Sequence, residues 1–454
     1  MAFAETTEAI RVDEAKKKEK RLSLGTALVG RVVGAALAFL ANIFIGRMIG
    51  PSAYGSYLTL LSIAMTVSAV AVFGADRVIT REIARRDPDE QRKVIYTLFR
   101  WVTSFDGPIL LGTITLLALW FYFYPQTQRD NTTADVATVS IIPVYFATLI
   151  ASSALLGFNR VGLVQILDNV IKNCILIFGI GVIFISNEHL TQARMLFLQL
   201  ITYLCILLIA VIFLQKTYNN LPPLAANSRL LDTATWRTSA RHFLFGGLAL
   251  TMFGRLDVVL VNALGGPLEA GLFGAANRLA QIAGIASLVI INSLQPRMAR
   301  ASAIGHDEFM QLYRHGQWAA LWLTLIAVTV TWVAAAPLLS IMGSGFIQAT
   351  WSLRILLLGY IVWSYSVPGY AFLSMTGSER ALAYLAWAQI GITIILSLML
   401  VPLLGAVGAS IAFASGTATV ATGTTLVART KVRHLATVRL CGVRTSSNYS
   451  NELA

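Results

Sequence analysis

Twelve stretches of this chain stay apolar for about twenty residues or more, and they lie at approximately 22–46, 55–76, 96–123, 136–156, 162–185, 193–214, 240–263, 269–292, 315–341, 351–375, 381–402 and 404–428. About 20 apolar residues in helical form cross a bilayer core. Composition supports that reading. Of the 454 residues, 56% are hydrophobic and 13% charged, against about 25% charged in soluble domains. The expected fold class is all-α: a polytopic membrane protein of about 12 transmembrane helices. The first twenty residues are charged and the first block is long enough to span, so that block is expected to persist as a helix rather than act as a cleaved leader.

Charge sets the orientation. The formal net charge is +13, which in a membrane chain points to basic loops on an anionic cytoplasmic leaflet and not to nucleic acid. With a cytoplasmic amino terminus, the cytoplasmic segments carry 27 of the 35 Lys and Arg residues. The outer side carries only Arg47, Arg129, Arg194 and Arg354. The positive-inside rule then places both ends in the cytoplasm.

The longest inner connection falls mid-chain and contains Pro222 and Pro223, which marks a linker. The expected organisation is a cytoplasmic tail over 1–21, an N-lobe of six helices over 22–214, a cytoplasmic linker over 215–239, a C-lobe of six helices over 240–428 and a cytoplasmic tail over 429–454. An internal repeat supports two halves. Gly50-Pro51-Ser52-Ala53-Tyr54-Gly55 and Gly266-Pro267-Leu268-Glu269-Ala270-Gly271 both read G-P-x-x-x-G, 216 residues apart. The same offset relates Arg81 to Arg297. Six-helix repeats run parallel, and transporters built from repeats place substrate between them near the midplane, so a central cavity between the lobes is expected.

Ionisable residues within spans are expensive and mark functional positions. Arg31, Lys172, Arg255 and Arg278 sit on four different helices, two in each half, and Arg31 lies about nine residues, or roughly 14 Å, into the first. Asp106, Asp168 and Asp257 are the acids of the spans, while Asp76 and Arg77 read as a pair at headgroup level. Asp168 and Lys172 lie one helical turn apart, which favours pairing. Arg255 and Asp257 are two apart and face nearly opposite ways. Arg31 and Arg278 have no acid one turn away and are the leading candidates for an anionic group. The four cations are the candidate substrate-binding residues; Asp168 and Asp257 are candidates for coupling or ion pairing.

Catalytic and cofactor chemistry find no support. The five histidines are scattered, no glycine-rich phosphate loop is present, and Cys174, Cys205 and Cys441 have no metal spacing. The expectation is a transporter and not an enzyme, with no cofactor and no metal.

A family resemblance enters at Ile45-Gly46-Arg47-Met48-Ile49-Gly50-Pro51-Ser52-Ala53-Tyr54-Gly55 and Phe73-Gly74-Ala75-Asp76-Arg77. Arg255-Leu256-Asp257 and Ala270-Gly271-Leu272-Phe273-Gly274-Ala275-Ala276-Asn277-Arg278 repeat it in the second half. These stretches resemble the bacterial polysaccharide flippases, the O-antigen and exopolysaccharide translocases of the multidrug/oligosaccharidyl-lipid/polysaccharide exporter superfamily. The resemblance is strongest over about 22–90 and 240–300. It implies translocation of an undecaprenyl-diphosphate-linked oligosaccharide from the cytoplasmic to the periplasmic leaflet of the bacterial inner membrane, by alternating access. It also implies membrane lipids and the polymerase and export machinery of the same pathway as partners. The diphosphate is anionic, and arginine suits phosphate by geometry as well as charge.

The alternatives are a multidrug or metabolite exporter of the same superfamily, a lipid II flippase, a major-facilitator transporter, and a membrane scaffold or polymerase. Exporters of cations favour acidic cavities, whereas bases outnumber acids in these spans. The inner placement of the 77–100 segment is directly testable. A cysteine introduced at Arg86 is expected to react with an impermeant thiol reagent only after the membrane is opened; labelling of intact cells overturns the orientation.

Overall fold

The computed structural model describes residues 2–123, 132–186, 190–222, 233, 236–240, 252, 254–304, 306–376 and 378–451; side chains of 2–29, 31, 32, 299–309 and 432–451, with a few others, lie outside the description. Among the described residues every regular element is helical: α1 (Ala2–Val72), α2 (Ala75–Ala84), α3 (Pro88–Phe123), α4 (Thr132–Gly157), α5 (Val161–Ile185) and α6 (Gln192–Asn219) are followed by a short helix α7 over 236–240. The chain continues as α8 (Leu256–Ile304), α9 (His306–Val333), α10 (Ala335–Met342), α11 (Thr350–Met375) and α12 (Glu379–Asn451). Among the described residues nine runs are long and apolar enough to cross a membrane. The all-α polytopic expectation therefore holds.

Three of those runs are not single helices. Gly50 (φ 77°, ψ 170°) interrupts α1, Gly266 (φ 86°, ψ 175°) interrupts α8 and Gly405 (φ 56°, ψ −133°) interrupts α12. A straight helix would separate Asn42 from Tyr54 by roughly 18 Å, yet the Tyr54 hydroxyl donates to Asn42 Oδ1 at 2.8 Å. The chain therefore doubles back at Gly50. It does the same at Gly405, where Gly408 packs against the Leu400 carbonyl. Gly50 and Gly266 adopt the same conformation, in a region only glycine visits readily. Each is followed by a proline, which suits the first position of the next helix because its missing N–H has no partner there anyway. The sequence repeat at these two turns is thus a repeat of backbone geometry.

The chain forms two compact units, Met1–Gly247 and Leu248–Ala454. In the first, α4 packs against α1, α2 and α6, and α5 packs against α1. Around α2 and α3 a core gathers Val78, Ile83, Leu98, Trp101 and Val102. The short α7 joins it. Trp236 is 2% exposed and meets Trp101 edge-on, with centroids 6.0 Å apart, and Ser239 accepts from Arg81 Nη2 at 3.2 Å. In the second unit α11 packs against α8, α9 and α12 around Leu294, Met298, Phe372 and Leu373. Glu269, inside the α8 turn motif, accepts from the Ala406 backbone N–H at 2.6 Å. It caps the helix restarting after Gly405, supplying the acceptor that a fresh helix amino terminus lacks.

An added Cβ at Gly50 or Gly266 would meet nothing within 4 Å, so any penalty there is purely conformational. Gly50→Ala and Gly266→Ala are each expected to cost about 1–3 kcal/mol, read as a lowered thermal unfolding temperature in detergent. Ala at Gly391, which is helical and equally unobstructed, serves as the control and should not destabilise.

Candidate functional site

The cation positions divide between the two units. In the first, they collect where α1 meets α5. Gly30 and Gly34 stand four apart on α1, one turn apart on one face, and this small-x-x-x-small spacing lets helix backbones approach closely. A Cβ at Gly34 would overlap Asn169, coming within 2.8 Å of its carbonyl oxygen. Asn173 uses the approach to donate to the Gly34 carbonyl at 3.2 Å. It also donates to the Asn169 carbonyl at 2.6 Å, and Asn169 donates to the Gln165 side chain at 3.0 Å.

The facing part of α5 is irregular. Ile166–Ile171 forms a π turn, a rare local widening that concentrates at functional positions because it re-aims side chains. Asp168 lies within it and Lys172 follows directly. The two interact electrostatically, and both are half-buried; Lys172 has a bonded or charged neighbour. Arg31 lies between Gly30 and Gly34 on the α1 backbone, one turn from the contact with Asn169; its side chain is outside the described residues. The structure thus brings the Arg31 position, Asp168 and Lys172 into one neighbourhood.

In the second unit, the remaining three residues fall on or next to α8, on two legs separated by Gly266. Arg255 lies in the turn before the helix and is half-buried, with a bonded or charged neighbour. Asp257 is 8% exposed and accepts a hydrogen bond from the Gly254 backbone, while its Oδ2 has no partner among the described residues. Arg278 differs from both. Every other residue from Ala270 to Ala280 is buried, and Arg278 alone is exposed.

Sequence reasoning passed over four features. The Gly30/Gly34 spacing was visible in the first apolar block. The Glu82 cluster, in which Arg81 Nη2 lies 2.9 Å and Arg86 Nη2 3.8 Å from a buried carboxylate, had only its i,i+4 spacing as a signal. The π turn and the burial of Asp106 had none. Among the described residues no group of three or more His, Cys, Asp or Glu could hold a metal ion.

A family model described as polysaccharide biosynthesis protein matches residues 24–302, and a second, described as MatE, matches residues 243–399. No curated protein matches the chain. Among solved structures, the chain resembles the inward closed conformation of the lipid II flippase MurJ, at a TM-score of 0.66 and 11% identity over 90% of this chain and 87% of that one. It resembles the inward-facing conformation of a multidrug resistance MATE family transporter of the MOP superfamily at 0.64 and 14%, over 90% and 99%. It also resembles a MOP superfamily transporter from Pyrococcus furiosus, described as having a binding pocket of reverse polarity, at 0.56 and 13%, over 91% and 96%. At these identities the likeness is one of fold.

The α1–α5 contact predicts unequal effects for two glycines four residues apart. Gly34→Ala forces backbone against Asn169 and is expected to cost about 1–3 kcal/mol through overpacking. Gly30→Ala meets only Ile166 Cγ1, at an ordinary 3.9 Å, and should be neutral or slightly stabilising, since alanine is the better helix former. Paired thermal unfolding curves check this; equal effects would show that α1 and α5 do not meet there.

Proposed function

This chain belongs to the polysaccharide biosynthesis protein family, and on that premise we propose that it is a flippase. Its cargo in this reading is an undecaprenyl-diphosphate-linked oligosaccharide, carried from the cytoplasmic to the periplasmic leaflet of the bacterial inner membrane for O-antigen or exopolysaccharide synthesis. Counting each glycine-broken run as two gives twelve spans, arranged as two lobes of six that work by alternating access. The polymerase and export machinery of the same pathway are the partners.

One observation carries the reading. Arg278 stands exposed at the end of a buried stretch of α8, with Gln281 and Ile282 exposed beside it one turn on, at a depth where a cation needs water, a counter-charge or a ligand. A diphosphate supplies the counter-charge, and the arginine fork can grip it with two parallel hydrogen bonds. Arg31 and Lys172 in the first unit, with Asp168 tempering Lys172, and Arg255 in the second are the further candidate cations of this reading. The polar side chains Gln165, Asn169 and Asn173 offer hydrogen bonds of the kind a sugar accepts. The isoprenoid tail stays in the bilayer, so the head group alone needs a polar route.

The MatE match over residues 243–399 favours a second reading, export of a small organic molecule. Deleting the gene separates the two. The flippase reading expects lipid-linked glycan to accumulate on the cytoplasmic leaflet and surface polysaccharide to fall; the exporter reading expects altered drug sensitivity with no such accumulation. Under the first, Arg278→Ala and Arg31→Ala should lose on the order of tenfold or more in surface polysaccharide at normal protein levels, as expected when a charged hydrogen-bonding partner is removed. Lysine should restore part of it. Full export by both alanine variants removes the diphosphate-binding role.

A further inference from the structure

One acidic side chain in the first unit has no part in the reading above. Asp106 stands near the middle of the apolar run of α3, sixteen residues after Glu90 and fifteen before Phe121. It is 0% exposed. Neither carboxyl oxygen has a hydrogen-bond partner among the described residues, and neither presents surface to a water-sized probe. Carboxylates buried this way do not stay ionised without a counter-charge, because the desolvation penalty exceeds anything the surroundings return; the group takes up a proton instead.

Among the described residues no cation is paired with this carboxyl. From α2 the facing titratable group is Asp76, whose like charge bears on Asp106; Arg77 acts on Asp76 itself. From α7, Arg237 rests over the Phe105 ring at 5.4 Å from its centroid. The residue joining α1 to α2, Phe73, meets Phe105 edge-on, and α4 contributes Phe146 to the same core. On α3 itself the nearest cation, Arg100, is exposed and six residues away. With two carboxyls as the only acids and no third ligand among the described residues, the chemistry fits a proton and not a metal ion.

The sequence next to this carboxyl also disfavours a straight helix. Gly107 and Pro108 follow Asp106 directly inside α3. Proline removes a backbone hydrogen bond and pushes away the carbonyl four residues earlier, and such positions are where helices bend. A bend here moves the turn that carries the carboxyl.

We propose that Asp106 is a proton-binding site, which holds its proton in the conformation described and exchanges it with solvent when α3 bends at Gly107-Pro108. The step is a simple protonation. One carboxylate oxygen forms an O–H bond with a proton delivered by water, and on release the electron pair stays on oxygen while the proton returns to water. Its use as a driving force for transport rests on the flippase reading; proton binding itself does not.

Infrared difference spectroscopy on the purified full-length chain in detergent, without substrate, tests the site. The expected result is a carbonyl band from a protonated carboxyl at neutral pH that Asp106→Asn abolishes, that disappears as pH rises, and that shifts in heavy water as the proton exchanges. Asn is nearly isosteric with the neutral acid, and size-exclusion chromatography confirms that the variant folds. If it does not, Asp76→Asn gives an independent assignment, because removing the neighbouring charge must move the pH at which the band is lost. No band at any pH overturns the proposal. So does a band that neither titrates nor exchanges, which is the signature of a permanently neutral structural acid. Because no lipid-linked sugar is present, failure here is distinguishable from failure of the flippase reading.

Discussion

Hydrocarbon offers no partner to a backbone N–H or C=O, and each unsatisfied group costs several kcal/mol there. The rest of this structure follows from that constraint. It makes every described regular element helical, and it restricts where the chain can turn. The reversals at Gly50 and Gly405, and the matching break at Gly266, use a residue without a Cβ. A proline follows at two of them, and a carboxylate cap from Glu269 serves the third. Each break therefore leaves few orphaned backbone groups.

The second consequence concerns what holds the helices to one another. Lipid tails are as apolar as leucine side chains, so burial gives little net drive for association, and close packing with interhelical hydrogen bonds takes its place. Where Gly34 lets α1 reach α5, Asn173 bonds directly to the α1 backbone. The close contact and the π turn coincide on α5, so the helix that carries Asp168 and Lys172 is locally widened at the place where a neighbour presses on it. Regular α geometry is lost where the candidate binding residues stand.

Charges obey the same logic from the other side. Glu82 keeps two arginines at the end of α2, Lys172 has Asp168, and Lys431 donates to the Thr376 carbonyl at the end of α11. Arg278 and Asp106 stand apart from this pattern in opposite ways. The first is exposed on α8 together with Gln281 and Ile282; the second is buried with no hydrogen-bond partner among the described residues. The proposed roles of the two residues, anion binding and proton binding, start from these opposite settings.

Sequence by itself determined the helical class, the apolar blocks and the doubled turn motif, because helix length and glycine-proline placement are local properties that hydrocarbon leaves no freedom to vary. It also identified which residues carry charge in the spans and set Asp168 and Lys172 one helical turn apart. Tertiary structure alone decided which of those charges are sealed. Asp106 and Arg278 look alike as isolated ionisable residues in apolar blocks, and only the burial of the first and the exposure of the second separate them. The π turn and the Gly34–Asn169 contact were equally out of reach, since both depend on how near a second helix comes. That distance is set by residues more than a hundred positions away in the chain, and no periodicity within a single block records it.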